Sequence, residues 1–179
     1  MKWNLDITHS QAEFSVKHLM ISTVRGRFKT LEGSGETNPD GTLKQVELRI
    51  DVSSIDTNNS QRDDHLRSPD FFDAAKLPKL TFKSTKIEQA GGDVTITGDL
   101  TMKDVTKPVT LKGEFSSPVK DPWGNQRSAL NVSGDLNRTD WGLGWNMALE
   151  AGGFVVSEKV KLSVEVEAVA VAVETPIAA

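Results

Sequence analysis

The sequence predicts an all-β chain in which about eight antiparallel strands close into an up-and-down barrel, with a short helical insertion around residues 60–75. Three observations predict it. Near the C-terminal end Val160, Leu162, Val164, Val166 and Ala168 alternate with Lys159, Lys161, Ser163, Glu165 and Glu167, the two-residue period of a strand with one buried and one wet face. The same period recurs in nearly every segment. Turn-forming clusters punctuate it at Asn38-Pro39-Asp40-Gly41, Gly91-Gly92 and Asp121-Pro122-Trp123-Gly124-Asn125.

Taken in order, Trp3, Leu5 and Ile7 share one face of a first strand. Phe14, Val16, His18 and Met20 continue the period before Ile21-Ser22-Thr23-Val24 turns into Arg25–Lys29. After Gly33, Gly35 and the first turn cluster, Val46, Leu48, Ile50 and Val52 alternate with Gln45, Glu47, Arg49 and Asp51. From Ser60 to Ala75 the rhythm breaks. Gln61–Arg67 reads as a short helix, with Ser60 as N-cap and Asp63 three residues on in a capping-box-like pattern. Ser68-Pro69-Asp70 ends it and Phe71-Phe72 follows. Strand faces resume with Leu80, Phe82 and Ser84, then Val94–Met102, then Val109, Leu111, Gly113 and Phe115, then Leu130, Val132, Gly134 and Leu136. An aromatic loop, Trp141–Met147, precedes the last strand. One domain is expected over residues 1–172, with a frayed tail over 173–179.

Closure follows because an open sheet of this length leaves edges that invite aggregation. A two-sheet sandwich is the rival, and it would fill its interior. A membrane-spanning barrel fits poorly, since the chain has no Tyr and its four Trp do not form two girdles. Net charge is −4, from 21 basic and 25 acidic residues with signs interspersed. That argues against nucleic acid as a partner and against strong attraction to anionic lipid surfaces. The absence of Cys excludes disulfides, thiolate metal sites and cysteine nucleophiles. No run approaches the length of a membrane-spanning helix, and no signal-peptide core is visible. A cytoplasmic protein is the expectation, or a periplasmic or secreted one if this is a mature form.

His9-Ser10, Phe14–Met20 and Ser22–Phe28 resemble the opening of the YceI-like family of lipid-binding proteins. Arg62–Phe72 followed by Pro78–Phe82 is similar to its second block, Gly98–Met102 with Lys107–Val109 to its third, and Asn137–Leu143 to its fourth. The blocks are in order and span almost the whole chain. The resemblance implies an extended, lipocalin-like barrel whose tunnel holds a polyisoprenoid, a quinone-like molecule or a fatty chain, carried or stored rather than turned over. It implies no catalytic residues and is compatible with a homodimer. Many members carry an export signal, and Trp141 stands where a smaller aromatic is expected.

For such a ligand recognition is burial and shape, since each buried CH₂ contributes ~0.8 kcal/mol and an isoprene unit on the order of 3–4 kcal/mol gross. The residues expected to touch it are Phe14, Met20, Phe28, Phe71, Phe72, Phe82, Met102, Trp141 and Trp145. His18 is expected inside the barrel, bonded there or touching a polar end. Arg62 and His65, with Arg67, are expected at the barrel mouth, meeting a pyrophosphate, carboxylate or quinone head group. The competing reading of that helix is a solvated face balanced by Asp63 and Asp64. Three histidines without HxH or HExxH spacing predict no metal, and no cofactor is expected beyond the lipid. No GxSxG elbow or GK[ST] loop occurs. An enzyme acting on a lipid-like substrate is the alternative, and it would need His18 or His65 paired with a carboxylate in the cavity. A barrel packed solid, with a protein partner, is a third possibility.

Overall fold

The computed structural model describes residues 1–150 and 152–171; the tail expected over 173–179 lies outside them. Twelve strands form one sheet: β1 (Lys2–Leu5), β2 (Gln11–His18), β3 (Ser22–Phe28), β4 (Leu31–Thr37), β5 (Leu43–Asp51), β6 (Ile55–Asp56), β7 (Lys79–Ala90), β8 (Asp93–Met102), β9 (Val105–Phe115), β10 (Val119–Lys120), β11 (Gln126–Asn137) and β12 (Val156–Ala170). One helix, α1 (Ser60–Arg67), interrupts them.

The count of twelve reduces to eight because three long strands are bent in the middle, β1 running into β2, β3 into β4 and β5 into β6, and because the short β10 continues β9 along the same edge of β11. Two bends are 3₁₀ turns, Ile7–His9 and Val52–Ser54. Each is opened by an aspartate whose carboxylate accepts the amide N–H two residues on, Asp6 from Thr8 at 3.0 Å and Asp51 from Ser53 at 2.9 Å. Ser54 holds the third bend, accepting from Lys29 N at its carbonyl and from Thr30 N at its hydroxyl. The bends therefore lie side by side, and adjacent strands turn together. Ile7, expected on a strand face, sits in the first bend and is exposed.

The eight strands pair antiparallel with their chain neighbours, and β12 closes the barrel. One edge of β12 pairs with β11 from Arg127↔Val169 to Asn137↔Lys159. Its other edge takes β1 near one end (Leu5↔Ala168) and β2 along the other half (Phe14↔Leu162). A ring of this kind replaces the sandwich alternative. The turns at residues 38–42, 91–92 and 121–125 gather at one end, called here the hairpin end. The opposite, insertion end is covered by residues 57–78, which contain α1, and by the segment from Arg138 toward Val155.

Two local expectations are corrected. Strand β2 stops at His18, because Leu19 (φ 51°) and Met20 (φ 63°) take left-handed backbone and turn the chain. Met20 therefore leaves the inward face and is 69% exposed. Helix α1 is capped by Asn59, whose side chain accepts from Arg62 N at 3.0 Å, and not by Ser60. Asp63 instead reaches back to Thr57, accepting from its amide at 2.9 Å and its hydroxyl at 2.6 Å, and is buried there.

Candidate functional site

The inward positions dictated by the two-residue period are apolar along every long strand, yet they do not fill the barrel. Gly33 and Gly35 of β4 point inward without side chains, and the facing part of β12 offers only Val164, Val166 and Ala168. The large residues gather instead toward the ends. What remains is a cavity of about 150 Å³ whose wall includes Leu5, Leu48, Phe82, Leu100, Leu130 and Leu162. Leu48, Leu130, Leu162 and Val166 are only half-buried although they face inward, because they face open space.

At the hairpin end Leu43, Val94, Ile96, Leu111, Phe115 and Val132 form one packed cluster. Beside it the Trp3 indole Nε1 donates to Thr37 Oγ1 at 3.0 Å, both residues being buried. At the insertion end a second cluster joins Phe28, Phe71, Leu80, Met102, Trp141 and Leu143, with Phe14, Phe72 and Trp145 packed on it.

The wall is electrostatically quiet. Glu47 borders the cavity, but its carboxylate bonds Lys83 at 2.9 Å, which holds its pKa below the ordinary value. Ser128 donates to the Ser116 carbonyl at 2.7 Å. Among the described residues no buried side-chain nitrogen or oxygen lacks a partner. A chain entering this space meets no polar group that must be desolvated unpaired.

Of the residues expected from the sequence, Phe82 and Met102 stand on the cavity wall. Phe14, Phe28 and Phe72 are brought together in the insertion-end cluster, with ring centroids 5.8 Å (Phe14–Phe28) and 6.1 Å (Phe28–Phe72) apart. Phe14 fits because it lies across Gly26, where a Cβ would sit 2.4 Å from its Cζ. Phe71, His65 and Trp145 form a second group, with His65 edge-on to Phe71 at 5.1 Å and to Trp145 at 4.7 Å. Trp141 is buried, and its Nε1 donates to the Leu100 carbonyl at 3.0 Å. Met20 lies on the outer surface, and His18 is half-buried beside that turn, off the cavity wall.

The basic groups of α1 are engaged in holding the insertion down. Arg62 donates to the Thr57 hydroxyl and carbonyl, each at 2.7 Å, and Arg67 to the carbonyls of Ser53 (2.9 Å) and Ile55 (3.0 Å). His65 Nε2 is bonded to Asp70 at 2.9 Å. Neither His18 nor His65 faces the cavity, so the acid–base pair an enzyme would need there is not assembled from them. Asp6, His9 and Glu167 bring three possible metal-ligand atoms within 4.8 Å of one another. Arg127 already bonds Asp6 (2.9 Å), Glu167 (2.5 Å) and Asp121 (2.9 Å), which answers the carboxylate charge there. Hydrogen bonds from Thr8, then Arg127 and His9, hold Asp6 well below the usual carboxylate range.

Most of the wall is aliphatic, including Leu5, Leu48, Leu130 and Val166, which the alternation places on strand faces without marking them as ligand contacts. The signal available was the pair Gly33 and Gly35 at inward parity, marking where the barrel lacks filling.

Comparison with known proteins gives a consistent result. The family model of the YceI-like domain matches residues 3–168. Protein YceI of Escherichia coli O17:K52:H18 is 38% identical over 164 residues, covering 90% of this chain and 82% of that protein. Burkholderia cenocepacia BcnA superposes with a TM-score of 0.78 at 22% identity, over 91% of this chain and 98% of that one. A polyisoprenoid binding domain from Saccharophagus degradans, implicated in plant cell wall breakdown, superposes with a TM-score of 0.66 at 19% identity, over 94% and 98%.

Proposed function

This chain belongs to the YceI-like family, and from that membership and its cavity we propose that it binds, and carries or stores, a long apolar lipid inside the barrel. The observation that carries the reading is a closed barrel that leaves apolar space unfilled between two packed ends. A protein selected only for stability would fill such space, since unfilled volume in a core costs free energy. The Saccharophagus domain, whose fold is shared, is one that binds polyisoprenoid.

The cavity's shape suits a flexible hydrocarbon chain. Its lining along β12 runs from Leu162 to Ala168, ~20 Å of strand at the usual rise and about 15 Å of barrel axis at a tilt of ~40°. Its volume of about 150 Å³ accepts on the order of one isoprene unit without rearrangement, as an apolar cavity of that size holds a benzene-sized molecule. A longer polyprenyl or quinone tail displaces the insertion-end cluster, so Phe14, Phe28, Phe71, Phe72, Trp141 and Trp145 act as the plug and Phe82 and Met102 as resident wall. The polar end of the ligand stays at that end, near His65 and Arg62.

The test is denaturing extraction of the purified protein followed by mass spectrometry, repeated after incubation with total membrane lipids. The expected result is one long-chain lipid per barrel, lost in a folded Gly35→Leu, Val166→Trp variant whose cavity is filled. Empty extracts from the parent protein under both conditions overturn the proposal.

A further inference from the structure

Five large apolar side chains stand in water together at the insertion end. Leu19, Met20 and Ile21 form the β2–β3 turn, with Met20 69% and Ile21 82% exposed; Met147 (58%) and Phe154 (50%) belong to the neighbouring loop. The two loops are tied together: Leu19 N donates to the Val155 carbonyl at 2.8 Å, and Val155 N to that of Met147 at 3.0 Å. Met20 Cγ and Sδ lie against Gly153, 3.8 Å from where its Cβ would be. Apolar residues at the tip of a loop protrude instead of lining a groove, the shape that lets them enter the acyl boundary of a bilayer.

The adjoining barrel wall is cationic. Lys17, Arg25 and Lys161 are exposed on the three neighbouring strands, Arg25 and Lys161 both opposite Ser15 in the ladder. Their neighbours Arg27, Lys29 and Lys159 are paired with Asp56 and Asp135. Lys17, Arg25 and Lys161 have no carboxylate at ion-pair distance among the described residues, and the Lys17 ammonium donates to the Thr23 hydroxyl. These cations lie two to four residues up the strands from Leu19, about 7–13 Å. Apolar groups that lie in a membrane interface sink ~5–10 Å into it, which would bring the three cations to the level of the head groups. Glu150, Glu158, Asp140 and Asp135, the last opposite Lys161 in the ladder, are exposed carboxylates of the same end and partly offset these cations. Apolar insertion is thus the main attraction, and anionic lipid adds to it.

The hairpin end differs. It also exposes Val119 and Trp123, but there Asp93 and Glu114 stand opposite each other beside Lys112 and Lys120, so charges of both signs meet and no unpaired cationic face adjoins the apolar residues.

We infer that the insertion end docks on a lipid bilayer, with Leu19–Ile21, Met147 and Phe154 inserted and Lys17, Arg25 and Lys161 at the phosphate level. The net charge of −4 does not prevent this, because the interaction is local to one end and screening confines it to ~10 Å.

Co-sedimentation of the full chain with phosphatidylcholine vesicles, alone or mixed with phosphatidylglycerol, tests it. The parent binds both, the mixed vesicles more tightly. Met20→Asp with Ile21→Asp lowers partition about tenfold or more on both. Lys17→Glu with Arg25→Glu removes only the phosphatidylglycerol increment, and Val119→Asp with Trp123→Asp changes neither. Circular dichroism and lipid extraction are read in parallel, so that loss of docking is distinguished from loss of the barrel or its cargo. Absence of vesicle binding by the parent, or unchanged binding by the Met20, Ile21 variant, overturns the inference whether or not the barrel holds lipid.

Discussion

At the hairpin end the barrel is stoppered by residues of its own strands, whereas at the insertion end it is stoppered largely by segments added between strands. Trp3, Leu43, Val94 and Phe115 each sit in a hydrogen-bonded ladder that is also part of the barrel wall. Moving them breaks the wall. Phe71, Phe72, Trp141 and Trp145 stand outside the strands, held by the Arg62, Arg67 and Asp63 bonds and by their own packing. They can shift while the eight strands stay paired. Segments with few ladder bonds open at lower free energy than the sheet they cover, so the proposed lipid would pass at the insertion end.

The sharpest test of this contrast pairs two deletions. Trp3→Ala and Trp141→Ala each remove a buried indole and should cost about 3–5 kcal/mol in denaturant unfolding. Only Trp141→Ala should also speed lipid release; faster release from Trp3→Ala alone would reverse the assignment of the ends. A second variant, Arg138→Ala, removes a buried guanidinium that binds the carbonyls of Leu143 and Ser157 and so ties the 138–145 segment to β12. The expected loss is about 2–3 kcal/mol, since the carbonyls are left without a donor. Asp63→Ala should cost about 1–2 kcal/mol and raise amide exchange over residues 57–78 while β8 and β9 remain protected. Uniform exchange across both would show that the insertion does not open independently.

The smallest effect concerns pH and sharpens the comparison from the hairpin side. Thr8 and then Arg127 hold Asp6 well below the usual carboxylate range, Arg127 and Asn125 do so for Asp121, and Lys29 and Asn58 hold Asp56 at about 2. A carboxylate whose pKa is lowered by folding stabilises the folded state above its unfolded value, 3.8, and that contribution is lost as the pH falls through the folded value. Stability should therefore decline from about pH 4 toward about pH 2. In Arg127→Met the part of that decline due to Asp6 and Asp121 should shrink, as followed by thermal melts.

Much of this was legible in the sequence, and the limits have physical causes. The alternation in Val160–Ala168 placed β12's inward face correctly, because period two follows from strand geometry. Residue parity says which way a side chain points but not how far along the barrel it lies. Phe14 and Leu48 both point inward, yet ladder register puts Phe14 over Gly26 in the plug and Leu48 on the cavity. The turn at Leu19-Met20 was hidden because neither residue is a usual left-handed one. The bends at Asp6 and Asp51 were hidden because a single aspartate in a polar-apolar alternation looks like any outward residue. The family blocks were the most readable feature, and the family match over residues 3–168 agrees with them.

The closing seam has a consequence for how the molecule comes into being. Trp3 pairs with Ala170, and β12 supplies the partner for both β11 and the first two strands. Until β12 is available, the nascent sheet has two long unpaired edges and no enclosed interior. Ring closure is thus among the most non-local steps in the chain, which points to folding in milliseconds to seconds rather than microseconds. An open sheet of this kind is also the state most exposed to edge-to-edge association, so the last strand completes both the container and its protection from aggregation.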